Sequence, residues 1–98
     1  MYIIRFSKQA DKDKKLLKGV GLDSKAKNLL DIIAENPFQS PPPYERLVGN
    51  LSGYYSRRIN IQHRLVYQVY NEPVTIEGAW YEGTIKAVRM WSHYDAVR

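Results

Sequence analysis

The sequence predicts an α+β fold, in which an N-terminal strand and two helices precede a mostly antiparallel sheet with the helices packed on one of its faces. Three observations lead to this prediction. A short apolar strand opens the chain, residues 7–36 carry helical periodicity, and the residues from position 54 onward alternate with a period of two. A chain of 98 residues supports one core, so we expect a single domain over residues 1–98.

The first two elements have clear boundaries. Residues Tyr2–Phe6 form the predicted first strand. Ser7 is a suitable N-cap for the first helix, because its hydroxyl can accept a hydrogen bond from the first turn. We expect this helix to run to about Lys18 and to stop at Gly19.

The second helix has the stronger pattern. Asp23 or Ser24 can cap it, and Asn36 followed by Pro37 ends it. One buried stripe follows the spacing i, i+3, i+4, i+7, i+8, and it consists of Ala26, Leu29, Leu30, Ile33 and Ala34.

Four of the five prolines follow within residues 37–44. Proline lacks a backbone N–H, so this run cannot be a helix or a central strand. We expect a stiff, extended surface connection that leads, through a turn at residues 50–53, into the sheet.

A β-hairpin is predicted after that turn. Its strands are Tyr54–Ile59 and His63–Tyr70, joined by a tight loop at residues 60–62. Residues 71–83 either extend the hairpin or form a loop, and Thr84–Tyr94 is the predicted last strand.

The hairpin places two arginines in an unusual relation. With a three-residue loop, Arg58 lies directly opposite Arg64 on one face, while Arg57 points to the other face. Like charges so placed repel each other, and an anion such as a phosphate would relieve the repulsion. The alternative is that each arginine pairs with a nearby carboxylate, such as Glu45 or Glu72, and only stabilises the structure.

Charge and composition narrow the functional classes. A net charge of +5 and a pI near 9.5 favour contact with a polyanion, although a solvated lysine face would give the same numbers. The chain has no cysteine, no phosphate-binding glycine loop, no GxSxG motif and no His/Asp/Glu set with metal-ligand spacing. It also has no apolar run long enough to span a membrane. We therefore expect a cytoplasmic protein without a metal or cofactor.

Three further residues are candidates for a site. Glu45 follows the stiff proline segment, so it could act as a general base near the arginines, or it could be an ordinary salt-bridge residue. His93 is either a functional group or a hydrogen-bonded histidine at a strand end. Tyr94 could stack on a nucleobase or simply pack in the core.

Three segments together resemble the YoeB/Txe family of toxins from type II toxin–antitoxin modules, within the wider RelE/ParE group. They are residues 50–59 (NLSGYYSRRI), residues 62–67 (QHRLVY) and residues 91–94 (WSHY). The chain differs from the family pattern at Val48, where the family often has a lysine, and in residues 95–98, which follow a His-Tyr pair that commonly ends the chain.

The resemblance implies a RelE-like fold and a ribosome-dependent endoribonuclease. It implies that Glu45 is the general base, that Arg58 and Arg64 bind the phosphate, with Arg64 among the catalytic residues, and that His93 is the general acid. It also implies that Tyr94 positions or stacks the RNA. The reaction is then acid–base cleavage through attack by the 2′-hydroxyl, with no metal and no cofactor.

The implied partners are mRNA, the ribosomal A site, a cognate antitoxin of the YefM/Phd type and a second copy of the chain as a homodimer. Two other functions remain open on the sequence. One is a non-catalytic toxin of the ParE type that binds and poisons DNA gyrase. The other is an inactive relative that only binds RNA or an antitoxin.

Overall fold

The computed structural model describes residues 1–91 of the chain. The helices and strands in this range are β1 (Tyr2–Phe6), α1 (Lys8–Gly19), α2 (Asp23–Glu35), β2 (Glu45–Arg46), β3 (Tyr54–Arg58), β4 (Arg64–Tyr70), β5 (Val74–Ile76), β6 (Ala79–Tyr81) and β7 (Gly83–Arg89).

Ser7 begins α1 and also ties it to the sheet. Its Oγ accepts a hydrogen bond from the backbone N–H of Ala10 at 3.0 Å, and its hydroxyl donates to the carbonyl of Val88 at 2.9 Å. The helix ends at Gly19, and Gly21 then takes a left-handed conformation with φ of 76° that turns the chain toward α2. The predicted cap and end of this helix are confirmed.

The start of α2 differs from the prediction. Its N-cap is Leu22, which makes no side-chain capping bond, and Asp23 is already the first helical residue. Neither Asp23 nor Ser24 therefore caps the helix. The turn at Gly21 brings the chain into helical geometry one residue early, and the Asp23 carboxylate still lies in the first turn, where the helix dipole favours a negative charge. The predicted end at Asn36 is confirmed.

The main sheet has five strands in the order β1-β7-β4-β3-β2. β1 runs parallel to β7, and the other three neighbouring pairs are antiparallel. The predicted α+β class with a mostly antiparallel sheet is confirmed. The edge strand β2 was not predicted from the sequence, because two residues are too few to show a period.

The segment between β4 and β7 forms a second, two-stranded sheet from β5 and β6. Neither alternative left open for residues 71–83 is correct, since the segment neither extends the β3–β4 hairpin nor forms a plain loop but is a separate hairpin. Its turn uses Glu77 and Gly78, with φ of 50° and 82°. Positive φ at both central residues matches the twist of a tight β-hairpin.

The last strand is shorter than predicted. It ends at Arg89, because the next backbone N–H, that of Met90, donates to the Asp13 carboxylate at 2.9 Å instead of to a neighbouring strand. The same Asp13 oxygen accepts from Arg89 Nε at 2.9 Å. Residues 92–94 of the predicted strand lie outside the described residues.

The two faces of the sheet are covered differently. Both helices pack on one face, and their apolar residues join Leu65 and Tyr67 of β4 and Ile85 and Ala87 of β7 in the main core. The opposite face carries a smaller cluster around Val66, covered by the segment after β2. Part of this second face is therefore left open for polar side chains. Neither helix in residues 1–91 has the length and apolar composition needed to cross a membrane.

Candidate active site

A cleft of about 290 Å³ lies on the sheet face opposite the helices. The antiparallel register aligns Glu45 with Ser56 across β2 and β3, and Arg58 with Arg64 across β3 and β4. Ser56 and Arg58 are two positions apart on one strand, so all four side chains share this face. Pro43 and Tyr44 complete the lining of the cleft, which therefore consists of Pro43, Tyr44, Glu45, Ser56, Arg58 and Arg64. The predicted hairpin register, with Arg58 opposite Arg64, is confirmed.

Glu45 and Arg64 form an ion pair across this cleft. Arg64 Nη1 lies 3.3 Å from Glu45 Oε1 and 3.4 Å from Ser56 Oγ. The Arg64 side chain is only 14% exposed, whereas that of Glu45 is 54% exposed. The sequence left two alternatives for the arginines, namely binding of an anion or pairing with a nearby carboxylate. The structure shows that Arg64 pairs with a carboxylate, that of Glu45.

Arg58 differs from its neighbour. Its side chain is exposed, and within residues 1–91 it takes part in no ion pair. Glu45 therefore reduces the repulsion between the two guanidinium groups from the side of Arg64. Among residues 1–91, the cleft lining contains two arginines and one carboxylate, and this surplus of positive charge suits a phosphate.

Arg57, on the other face of the same strand, was not identified from the sequence as important. It is fully buried, and its guanidinium donates four hydrogen bonds. The acceptors are Tyr67 Oη at 3.0 Å, the Pro37 carbonyl at 3.1 Å, the Gln39 carbonyl at 2.8 Å and the Pro42 carbonyl at 2.6 Å. The sequence contained only an indirect indication of this role. A run of prolines has carbonyls that need hydrogen-bond donors, and an arginine side chain supplies five N–H groups.

Aromatic rings pack around the Arg57 side chain. Tyr44 lies 5.0 Å from the Arg57 guanidinium carbon, and its ring meets that of Tyr55 edge-on at 6.1 Å. Tyr67 donates its hydroxyl to the Pro37 carbonyl at 2.8 Å. Burial raises the pKa of Tyr67 above its ordinary value of 10.0, and the hydrogen bond and charge of Arg57 oppose part of that rise. The proline segment is thus fixed to the sheet. Its residues 39–41 and 43 are exposed, so the predicted surface position of this connection is confirmed.

Two of the predicted site residues, His93 and Tyr94, lie outside the described residues. The other histidine, His63, is 3% exposed and stacks on Trp91 at 4.0 Å between ring centroids. It is not among the residues that line the cleft, and it lies instead near Leu22 and Trp91. Among residues 1–91, no group of three or more His, Asp or Glu side chains is arranged to hold a metal ion.

The family model described as a YoeB-like toxin of bacterial type II toxin–antitoxin systems matches residues 6–82. The chain belongs to the YoeB toxin family. The match includes Glu45, Arg58 and Arg64 but ends before His93 and Tyr94.

Known members of the YoeB family resemble the chain in sequence and in structure. The Toxin YoeB of a Synechocystis strain is 47% identical over 64 residues, which are 65% of this chain and 67% of that protein. The YoeB–YefM complex from Staphylococcus aureus superposes with a TM-score of 0.70 at 34% identity, covering 96% of this chain and 99% of the other. A YoeB dimer from the same organism gives a TM-score of 0.71 at 34% identity, covering 95% and 98%.

Proposed function

We propose that this YoeB-family toxin is an endoribonuclease that cuts mRNA in the ribosomal A site and so inhibits translation. The observation that supports the proposal best is the cleft that brings the Glu45 carboxylate within 3.3 Å of Arg64, with Arg58 directly opposite Arg64. A carboxylate base beside two guanidinium groups is the arrangement needed to activate a hydroxyl next to a phosphate. A toxin that acts only by binding does not need the carboxylate.

The proposed reaction is an internal transfer at one phosphodiester. Glu45 takes the proton of the 2′-hydroxyl, and the 2′-oxygen forms a bond to the adjacent phosphorus. The bond from phosphorus to the 5′-oxygen breaks, and His93 gives its proton to that oxygen. Arg58 and Arg64 stabilise the charge that gathers on the phosphoryl oxygens. The products are a 2′,3′-cyclic phosphate and a 5′-hydroxyl, and Tyr94 positions the RNA by stacking.

The arginines take the part that a metal ion plays in other nucleases, so we propose cleavage without a metal or cofactor. Cleavage of a minimal RNA, without ribosomes and at high toxin concentration, should continue in excess EDTA. Selective recovery of activity by one divalent ion, with the RNA intact, would overturn this part of the proposal.

The partners follow from the family and the proposed substrate. The Staphylococcus aureus relative forms a complex with YefM and is also found as a dimer. We propose a cognate antitoxin of the YefM/Phd type, a homodimer as one assembly state, and a cytoplasmic location, where mRNA and ribosomes are found. Expression of the chain alone should arrest growth, and coexpression of the antitoxin should relieve the arrest. Normal growth at high soluble expression would indicate an inactive relative.

Incubation with programmed ribosomes tests the enzymatic proposal directly. The new 5′ ends on the mRNA are mapped, and the 3′ ends are analysed for a cyclic phosphate. We expect cuts at the codon in the A site with wild type, and the same cuts about 10²–10⁴-fold more slowly with Glu45→Ala. Growth arrest by Glu45→Ala as strong as that by wild type, with no mRNA cut, would favour a toxin that only binds its target.

A further inference from the structure

The connection from α2 to β2 depends on one side chain of another strand for its position. Four of its residues are prolines, at 37, 41, 42 and 43, and these have no backbone N–H with which to join the sheet. Three carbonyls of the connection, at Pro37, Gln39 and Pro42, instead accept hydrogen bonds from Arg57.

Arg57 fixes these three carbonyls at once. Its Nη1 donates to Pro42, its Nη2 to both Pro37 and Gln39, and its Nε to the Tyr67 hydroxyl, which itself donates to Pro37. Within residues 1–91 no carboxylate pairs with this fully buried guanidinium. A buried cation is costly unless its donors are satisfied, so this geometry is tightly constrained.

Glu45 lies at the end of that connection. It is the third residue after Pro42, and the ring of Tyr44, next to it, lies 5.0 Å from the Arg57 guanidinium carbon. β2 itself consists of only two residue pairs, Glu45 with Ser56 and Arg46 with Tyr55, at the edge of the sheet. Such a short edge strand makes few contacts of its own, so the preceding segment contributes to the position of the Glu45 carboxylate.

We propose that Arg57 is a positioning residue for the cleavage reaction, which acts by fixing residues 37–44 and thereby aiming the Glu45 carboxylate into the cleft. This inference rests on the proposed function of Glu45 as general base. Arg57 lies on the opposite face from Arg58 and Arg64, so it acts through the segment and not by contact with RNA. A displacement of about 1 Å at a reacting group can cost about 10²-fold in rate, which makes such an anchor effective.

Arg57→Lys and Arg57→Gln test the role. An ammonium group keeps the charge but cannot spread its three donors over four separated acceptors. We expect single-turnover cleavage by Arg57→Lys to fall about 10- to 100-fold, with the affinity for an uncleavable 2′-deoxy RNA changed less than about 3-fold. We expect Arg57→Gln to lose at least as much. An unchanged cleavage rate in Arg57→Lys would overturn the inference.

The decisive measurement repeats the substitution in a Glu45→Ala background. If Arg57 acts through Glu45, then Arg57→Lys causes little further loss once the base is gone. Leu29→Ala is the control for general destabilisation, because it opens a cavity between α2 and the sheet, away from the cleft. We expect its cleavage rate, measured while it is folded, to stay within about 3-fold of wild type.

The possible failures are distinguishable. If wild type does not cleave RNA, or if Glu45→Ala cleaves as fast as wild type, the proposed function itself fails. If Glu45 is needed but Arg57→Lys lowers the cleavage rate by the same factor in both backgrounds, then Arg57 is only a structural residue. The same conclusion follows if Leu29→Ala lowers the cleavage rate as much as Arg57→Lys does. Should both Arg57 variants fail to fold, Tyr67→Phe, which removes one acceptor of Arg57 and one donor to Pro37, is tested for the same dependence on Glu45. Equal losses by Tyr67→Phe in the two backgrounds would contradict the inference.

Discussion

Arg58 and Arg64 lie opposite each other on β3 and β4, but within residues 1–91 it is Arg64 that is paired with a carboxylate, at 3.3 Å from Glu45, while Arg58 takes part in no ion pair. Glu45 therefore lowers the repulsion between the two guanidinium groups without removing it. An anion bound between them would complete the compensation. Under the proposed function, this pair would bind a phosphate at some cost to the stability of the empty protein.

Sulfate should reveal this surplus charge. We expect sulfate to raise the melting temperature of the wild type. We expect a clearly smaller rise for Arg58→Gln, because this variant lacks one of the two guanidinium groups. Without sulfate, Arg58→Gln should be as stable as wild type or slightly more so. Thermal unfolding with and without sulfate checks both expectations, and Arg46→Gln, an exposed arginine on β2, is the control for a general effect of charge. Equal stabilisation of wild type and Arg58→Gln would contradict a site at this pair.

Removal of the proposed acid or base should affect the chemistry and not the fold. We expect Glu45→Ala and His93→Ala each to lower the rate of mRNA cleavage by about 10²–10⁴-fold. The Glu45–Arg64 pair involves a half-exposed carboxylate, so Glu45→Ala should change the free energy of unfolding by no more than about 1 kcal/mol. Glu72→Ala, an exposed carboxylate outside the cleft, is the matched control. Near-normal cleavage by both site variants would show that the assignment is wrong.

Asp13 should be the most important acidic residue for stability among those described. It is fully buried and accepts hydrogen bonds from Arg89 Nε, the Met90 N–H and Gln9 Nε2. We expect Asp13→Ala to lower the free energy of unfolding by about 3–5 kcal/mol, measured by urea denaturation. Asp11→Ala removes an exposed pair with Lys14 and should cost at most about 1 kcal/mol. A small effect of Asp13→Ala would mean that water replaces the carboxylate easily.

The raised pKa of Tyr67 predicts a loss of stability in alkali. Because burial raises this pKa above 10.0, the folded protein keeps the phenol proton at pH values where the unfolded chain has released it. The contribution is complete below pH 10.0 and falls as the pH rises toward the pKa of the folded state. The difference in unfolding free energy between wild type and Tyr67→Phe should therefore shrink above pH 10.0, by at most about 1.4 kcal/mol per pH unit. A difference that grows with pH would contradict the assignment.

The hairpin and its arginines could be predicted from the sequence because they depend on local rules. Alternation along a strand and the length of one loop suffice to set Arg58 opposite Arg64. The helices could be predicted equally well, since the spacing of apolar residues indicates the buried stripe and Gly19 indicates where α1 ends. The start of α2 was missed by one residue because it depends on backbone geometry at Gly21.

The role of Arg57 could not be predicted in the same way. Its three carbonyl acceptors lie 15 to 20 positions earlier in the chain, on a segment whose path no periodicity describes. The end of β7 depends on a carboxylate 77 positions away, at Asp13, which takes the N–H of Met90 from the sheet. Both features are tertiary hydrogen bonds, and a pattern of apolar residues contains no information about them.

The parallel pairing of β1 with β7 determines when the five-stranded sheet can be completed during synthesis of the chain. β1 leaves the ribosome early and lacks its sheet partner until β7 has been translated. The Ser7 hydroxyl likewise donates to a carbonyl 81 positions away, that of Val88. Contacts so distant in sequence carry a large loop-closure cost and form late in folding. β4 also pairs with β7, so the hairpin that carries the two cleft arginines is joined to β1 only when β7 is available. A prematurely released fragment that lacks β7 would contain Glu45, Arg58 and Arg64 on strands β2 to β4 without the strand that connects them to the rest of the sheet.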